Sequence, residues 1–126
     1  MLLIYSMIFL LVLLQIKHWY IDFVNQDMEE VNHKGTYLHW LGVKHSLKQG
    51  IGTFWCVWVI VGGHFGDMVY ALALGMSDFL IHYHIDWLKM NYGNRDIQSP
   101  AFWNHLGLDQ MAHQLTYLAI AAAVIL

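Results

Sequence analysis

Ser77-Asp78-Phe79-Leu80-Ile81-His82-Tyr83-His84-Ile85-Asp86-Trp87-Leu88-Lys89 is apolar and aromatic except for one polar stripe. Wound at 3.6 residues per turn, Asp78, His82 and Asp86 fall at i, i+4 and i+8 on one face of a helix. Ordinary helix packing has no need of such a stripe. The spacing recurs as His18 with Asp22, with Gln26 four further on, and as His105, Asp109 and His113 near the C-terminus. These make five His/Asp pairs at i, i+4. Nine His and seven Asp scattered over 126 positions would give roughly one.

The surroundings of these pairs point to lipid as the solvent. The 126 residues are 58% hydrophobic and 12% charged, far from the balance of an average soluble domain. Met1 to Leu14 is interrupted only by Ser6, and Leu115 to Leu126 only by Thr116, so both ends carry long apolar runs. No Lys or Arg precedes Lys17, and no small-residue cleavage site follows the first run. That run therefore reads as a retained span and not a removable leader. Four spans are expected, at about 2–24, 37–61, 65–88 and 101–126, forming one all-α, integral membrane four-helix bundle. The second span is the least regular, because Gly50 and Gly52 permit either close helix contact or a break. Asn25 to Thr36, with room for one helical turn, and Met90 to Pro100 read as surface connections, and Gly62 to Gly66 as a tight turn. Cys56, the single cysteine, cannot form an internal disulfide and reads as a small buried hydrophobe. A net charge of -3 without a basic cluster excludes nucleic acid as an expected partner.

Alternating spans bring the polar residues late in spans one and three, and early in spans two and four, toward one membrane face. At about 1.5 Å per residue, His18, His45, His82 and His113 all lie roughly 20–26 Å from the opposite ends of their spans. They reach a similar depth, near one edge of a hydrocarbon layer about 30 Å thick. Lys17, Lys34, Lys44, Lys48, Lys89 and Arg95 belong to that side, which makes it cytoplasmic and places both termini outside. Trp19, Tyr20, Trp40, Trp87 and Trp103 cluster there as an interfacial belt would.

Ionisable side chains inside a span cost at least a few kcal/mol each unless paired, hydrated or metal-bound. Imidazole with carboxylate is the donor set of Zn²⁺, and also of Mn²⁺ or Fe²⁺. The expected metal ligands are His18, Asp22, His45, Asp78, His82, Asp86, Asp109 and His113, more than one tetrahedral ion requires. Either two ions bind, or some carboxylates orient imidazoles. Asp22 and Asp109 are the candidate general bases. Gln26, Gln49 and Gln110 fit as hydrogen-bond orienters or as polar glue between helices. Lys89 pairs with Asp86 or snorkels. His33, His39, His64 and His84 read as surface or interfacial groups, and His105 as either a loop cap or a site member.

The segments H-W-Y-I-D-F-V-N-Q (His18 to Gln26), K-H-S-L-K-Q-G-I-G-T-F (Lys44 to Phe54), I-H-Y-H-I-D-W-L-K (Ile81 to Lys89) and L-D-Q-M-A-H (Leu108 to His113) resemble the motifs of an uncharacterised family of small bacterial and phage integral membrane proteins, a domain of unknown function. The resemblance covers essentially the whole chain. It implies several membrane helices in a bacterial inner membrane. By looser similarity to alkaline ceramidase-like membrane hydrolases, it also implies a metal-dependent hydrolase. Asp78 and His105 stand outside the family pattern. The expected activity is hydrolysis of an amphipathic, lipid-like substrate at the cytoplasmic leaflet, with membrane lipid and further copies of the chain as partners. Three alternatives use the same residues: a metal or proton transporter, a haem-binding electron carrier, and a holin-like structural protein.

Overall fold

The computed structural model describes residues 1–125, and over them the chain is helical with no strand. Leu126, the last residue of the expected fourth span, lies outside the described residues. Helix α1 spans Leu2–Trp19 and runs into a π-helical turn, Tyr20–Val24, closed by Asn25 N–H donating to Tyr20 O at 2.7 Å. The short α2, Met28–His33, starts at Asp27, whose carboxylate caps it by accepting from Glu30 N–H at 2.8 Å. It lies in the stretch read as a surface connection. Three long helices follow: α3, Trp40–Ile60; α4, Phe65–Tyr92; and α5, Pro100–Ile125.

The four long helices form a ring in which α1 packs on α3, α3 on α4, α4 on α5 and α5 back on α1. The α3–α4 contact is the most extensive, and glycines on both helices explain why. A methyl group on Gly50 would stand 2.7 Å from Gly75 O, and one on Gly75 would stand 2.6 Å from Gly50 O. Backbones this close leave no room for a side chain. α3 continues unbroken through Gly50 and Gly52, so the glycines serve contact and not a hinge. Between α3 and α4 the chain reverses at Gly62 (φ 108°) and Gly63 (φ 68°), values that L-residues rarely adopt.

Inside the ring, the half containing the α3–α4 turn is sealed by Leu10, Leu14, Val57, Ala71, Ile120 and Ala121. The other half is filled by polar residues: His18, Asp22, His45, Gln49, Asp78, His82, Asp86, Asp109 and His113 are all buried. Large apolar side chains point outward instead, among them Phe9, Val12, Ile51, Trp55, Leu72, Leu80, Met111 and Leu115. Among the described residues, one helical segment, Leu2–Val24, is long and apolar enough to cross a membrane by length and composition, a test that signal sequences and core helices also pass. The other long helices carry too many charges or too little hydropathy to meet it.

Candidate metal centre

Each wall of the ring contributes to one buried cluster. His18 comes from the last turn of α1, Asp22 from the π turn, His45 from α3, His82 and Asp86 from α4, and Asp109 and His113 from α5. The π turn widens the end of α1 at the point where Asp22 enters, a common device for re-aiming a side chain at a site. On α4 and α5 the i, i+4 spacing works as expected. His82 Nε2 lies 3.3 Å from Asp86 Oδ2, and His113 Nε2 lies 3.6 Å from Asp109 Oδ1.

Across helices the separations are as short. His45 Nε2 stands 3.0 Å from Asp22 Oδ1, 3.3 Å from His82 Nε2 and 3.5 Å from Asp86 Oδ2. Asp22 Oδ1 is 3.5 Å from His82 Nε2, and Asp86 Oδ1 is 3.6 Å from His113 Nε2. The rings of His82 and His113 are 4.1 Å apart and those of His18 and His113 4.9 Å. Two donors bonded at about 2.1 Å to one tetrahedral ion lie about 3.4 Å from each other. Several separations in the cluster therefore lie near the edge length of a coordination shell.

Two groups could hold an ion: His18, His82 and His113, or Asp22, His82, Asp86 and His113, the ligand atoms of each lying within 4.8 Å of one another. The donors fit a divalent ion on a second ground. Among the described residues, the buried His113 Nε2, common to both groups, has no hydrogen-bond partner, a condition costing about 1–3 kcal/mol.

No family model, curated protein or solved structure matches this chain. What the centre can do rests on its own chemistry.

Its charges are arranged by residues that spacing alone does not reveal. Lys34, just after α2, reaches in to stand 2.8 Å from Asp86 Oδ2. Burial works against its charge, but Asp86 and, further off, Asp22 outweigh that and raise its pKa. Lys89 pairs with Asp109 Oδ2 at 3.1 Å and not with Asp86. Glu30 on α2 is 1% exposed, with Lys44 at 3.0 Å, Lys48 at 2.9 Å and His45 Nδ1 at 3.6 Å. Burial would raise its pKa, yet the Lys48 and Lys44 ammoniums hold it below the usual range.

Of the other residues singled out by spacing, Asp78 stands apart from both ligand groups. Its Oδ2 is held by Lys17 Nζ at 2.9 Å and by the Thr53 hydroxyl at 2.5 Å. The glutamines bind site atoms. Gln49 Nε2 donates to Asp22 Oδ1 at 2.6 Å, Gln110 Nε2 to Asp109 Oδ2 at 3.0 Å, and Gln26 Nε2 to the Asp22 carbonyl. His105 Nδ1 accepts from Asn94 N–H at 2.8 Å, which makes it a loop cap. His33 and His39 stack on each other, and His64 and His84 are exposed.

On its α4–α5 side the centre meets a cleft of about 270 Å³ lined by Ile85, Leu88, Tyr92, Leu108 and Ala112, with Lys89 and Asp109 as its charged wall.

Proposed function

We propose that the chain is an integral membrane four-helix bundle that holds a divalent ion, zinc foremost, and hydrolyses an amphipathic substrate at the cytoplasmic leaflet. The observation carrying this reading is the convergence of imidazoles and carboxylates from every wall of a ring whose outer surface is apolar. Buried ionisable groups inside an apolar exterior invert the soluble pattern and suit lipid. Lys34, Lys44, Lys48, Lys89 and Arg95 lie at the end of the bundle carrying the centre, which favours a cytoplasmic site.

His82 and His113, common to both ligand groups, would hold the ion with Asp22 and Asp86. Such an ion supplies Lewis-acid activation of water near neutral pH. Asp109 is the better candidate for the general base: Oδ1 is unbonded, Oδ2 is fixed by Lys89 and Gln110, and the residue lines the cleft. Asp22, the other candidate, is already engaged by His45 and Gln49. Apolar cleft walls beside the paired Lys89 and Asp109, with His105 also on the lining, suit a lipid ester, amide or phosphate, with its chain between α4 and α5 and its polar head at Lys89.

A transporter is the weaker reading, because the polar interior ends against Leu10, Leu14, Val57, Ala71 and Ile120 and does not continue to the far end. The deciding experiment is elemental analysis of detergent-purified protein from carbonate-washed membranes. About one ion per chain is expected in the wild type and none in H82A or H113A, with turnover of a lipid ester, amide and phosphate panel abolished by chelation. Absence of stoichiometric metal from the wild type would remove the proposal.

A further inference from the structure

Which of the two ligand groups takes the ion is decided by hydrogen bonds at both ends of His18. Tyr117 is fully buried, and its hydroxyl has two neighbours among the described residues: Lys17 Nζ at 3.3 Å and His18 Nδ1 at 2.8 Å. The Lys17 ammonium, ion-paired with Asp78 at 2.9 Å, has no lone pair to offer. The phenol proton therefore goes to His18 Nδ1, which must be the unprotonated nitrogen. At the other end of the ring, His18 Nε2 faces Gln110 Oε1 at 3.0 Å and Asp22 Oδ2 at 3.5 Å. Gln110 is not free to flip, because its amide N–H₂ donates to Asp109 Oδ2 at 3.0 Å, and reversal would set two acceptors against each other. Nε2 thus faces only acceptors and carries the proton.

Both nitrogens of His18 are committed in the same sense, and neither has a lone pair left for an ion. We infer that His18 is a positioning residue and not a ligand: Lys17 and Tyr117 lock its Nε2–H tautomer, and that N–H donates to Gln110 Oε1 with Asp22 Oδ2 beside it at 3.5 Å, while Asp22, His82, Asp86 and His113 take the metal. The ligand assignment rests on the metal-centre reading; the tautomer does not. A donor that fixes the Gln110 amide, which in turn holds Asp109 Oδ2, would set the position of the base from outside the ligand shell.

The test has two arms. In metal-free protein labelled with ¹⁵N-histidine, the His18 ring is identified by its loss in H18Q, or by its shift in Y117F should H18Q not fold. Nδ1 is expected at an unprotonated shift and Nε2 at a protonated one, with the pattern lost in Y117F. In the second arm Co²⁺ replaces the native ion. H18Q should keep the shape of the d–d absorption bands and lose affinity by about tenfold, as for an outer partner, whereas H113Q should lose the bands. A protonated Nδ1, or bands that change in H18Q as they do in H113Q, would overturn the assignment. Failure of the wild type to bind Co²⁺ would instead remove the metal centre while leaving the tautomer to be judged by the first arm.

Discussion

Among the carboxylates lining the centre, Asp86 has Lys34 at 2.8 Å and Asp109 has Lys89 at 3.1 Å, while Asp22 meets only imidazoles and amides among the described residues. Three carboxylates against two ammoniums leave a net charge of −1 before any imidazole is protonated, a deficit that one imidazolium or a bound cation would balance. Glu30 sets the outer boundary of this charge system, and its behaviour with pH follows from its partners. Its folded pKa is depressed, so its stabilising effect is fully present above the unfolded value of 4.5 and is lost as pH falls through the lower folded value. Thermal unfolding followed by circular dichroism should show E30Q less stable than wild type by about 1–2 kcal/mol at pH 7, the low end reflecting solvent screening at Lys44 and Lys48. The gap should narrow as pH falls below 4.5 and close only below Glu30's lower folded value. A constant gap between their curves would contradict the pairing. Residues such as His82, Asp86, Asp109 and His113 were legible in the sequence because their partners sit one helical turn away. Lys17, Lys34 and Glu30 were not: their partners Asp78, Asp86 and the α3 lysines are remote in the chain, and a lysine near a span end reads as an interfacial charge.

For the helices, spacing located the long segments because apolar runs and glycine or proline breaks are local signals. It could not show the π turn at Tyr20–Val24, since a His18/Asp22 pair is equally consistent with a regular α-helix. Nor could it choose between a break and a contact at Gly50. That choice depends on Gly75, whose partnership with Gly50 is a matter of register between α3 and α4. The contact makes a sharp prediction. G50A forces a methyl group to within 2.7 Å of both Gly75 O and Phe79 Cβ, which should cost about 1–3 kcal/mol through helix separation. G66A, where nothing lies within 4 Å, should be nearly neutral. Equal melting temperatures for the two variants in detergent would show that α3 and α4 do not pack at this crossing.

Taken as a whole, the molecule keeps its buried polar groups in one half of its interior and presents large apolar side chains outward, the pattern on which the proposed membrane reading rests. The Lys17–Asp78 pair then carries a consequence for biosynthesis. α1 emerges with an ammonium whose counter-ion lies 61 residues further along the chain, and until α4 is made only the uncharged Gln49 carbonyl and Thr53 hydroxyl of α3 can accept from it. A nascent chain cut after Gly63 should therefore be washed out of membranes or degraded, and Lys17→Met should restore its retention. Equal retention of both truncated chains would show that the charge finds another refuge. On the proposed membrane reading, the first helix is committed to the lipid by a residue the ribosome has yet to reach, which ties insertion of the bundle to its completion.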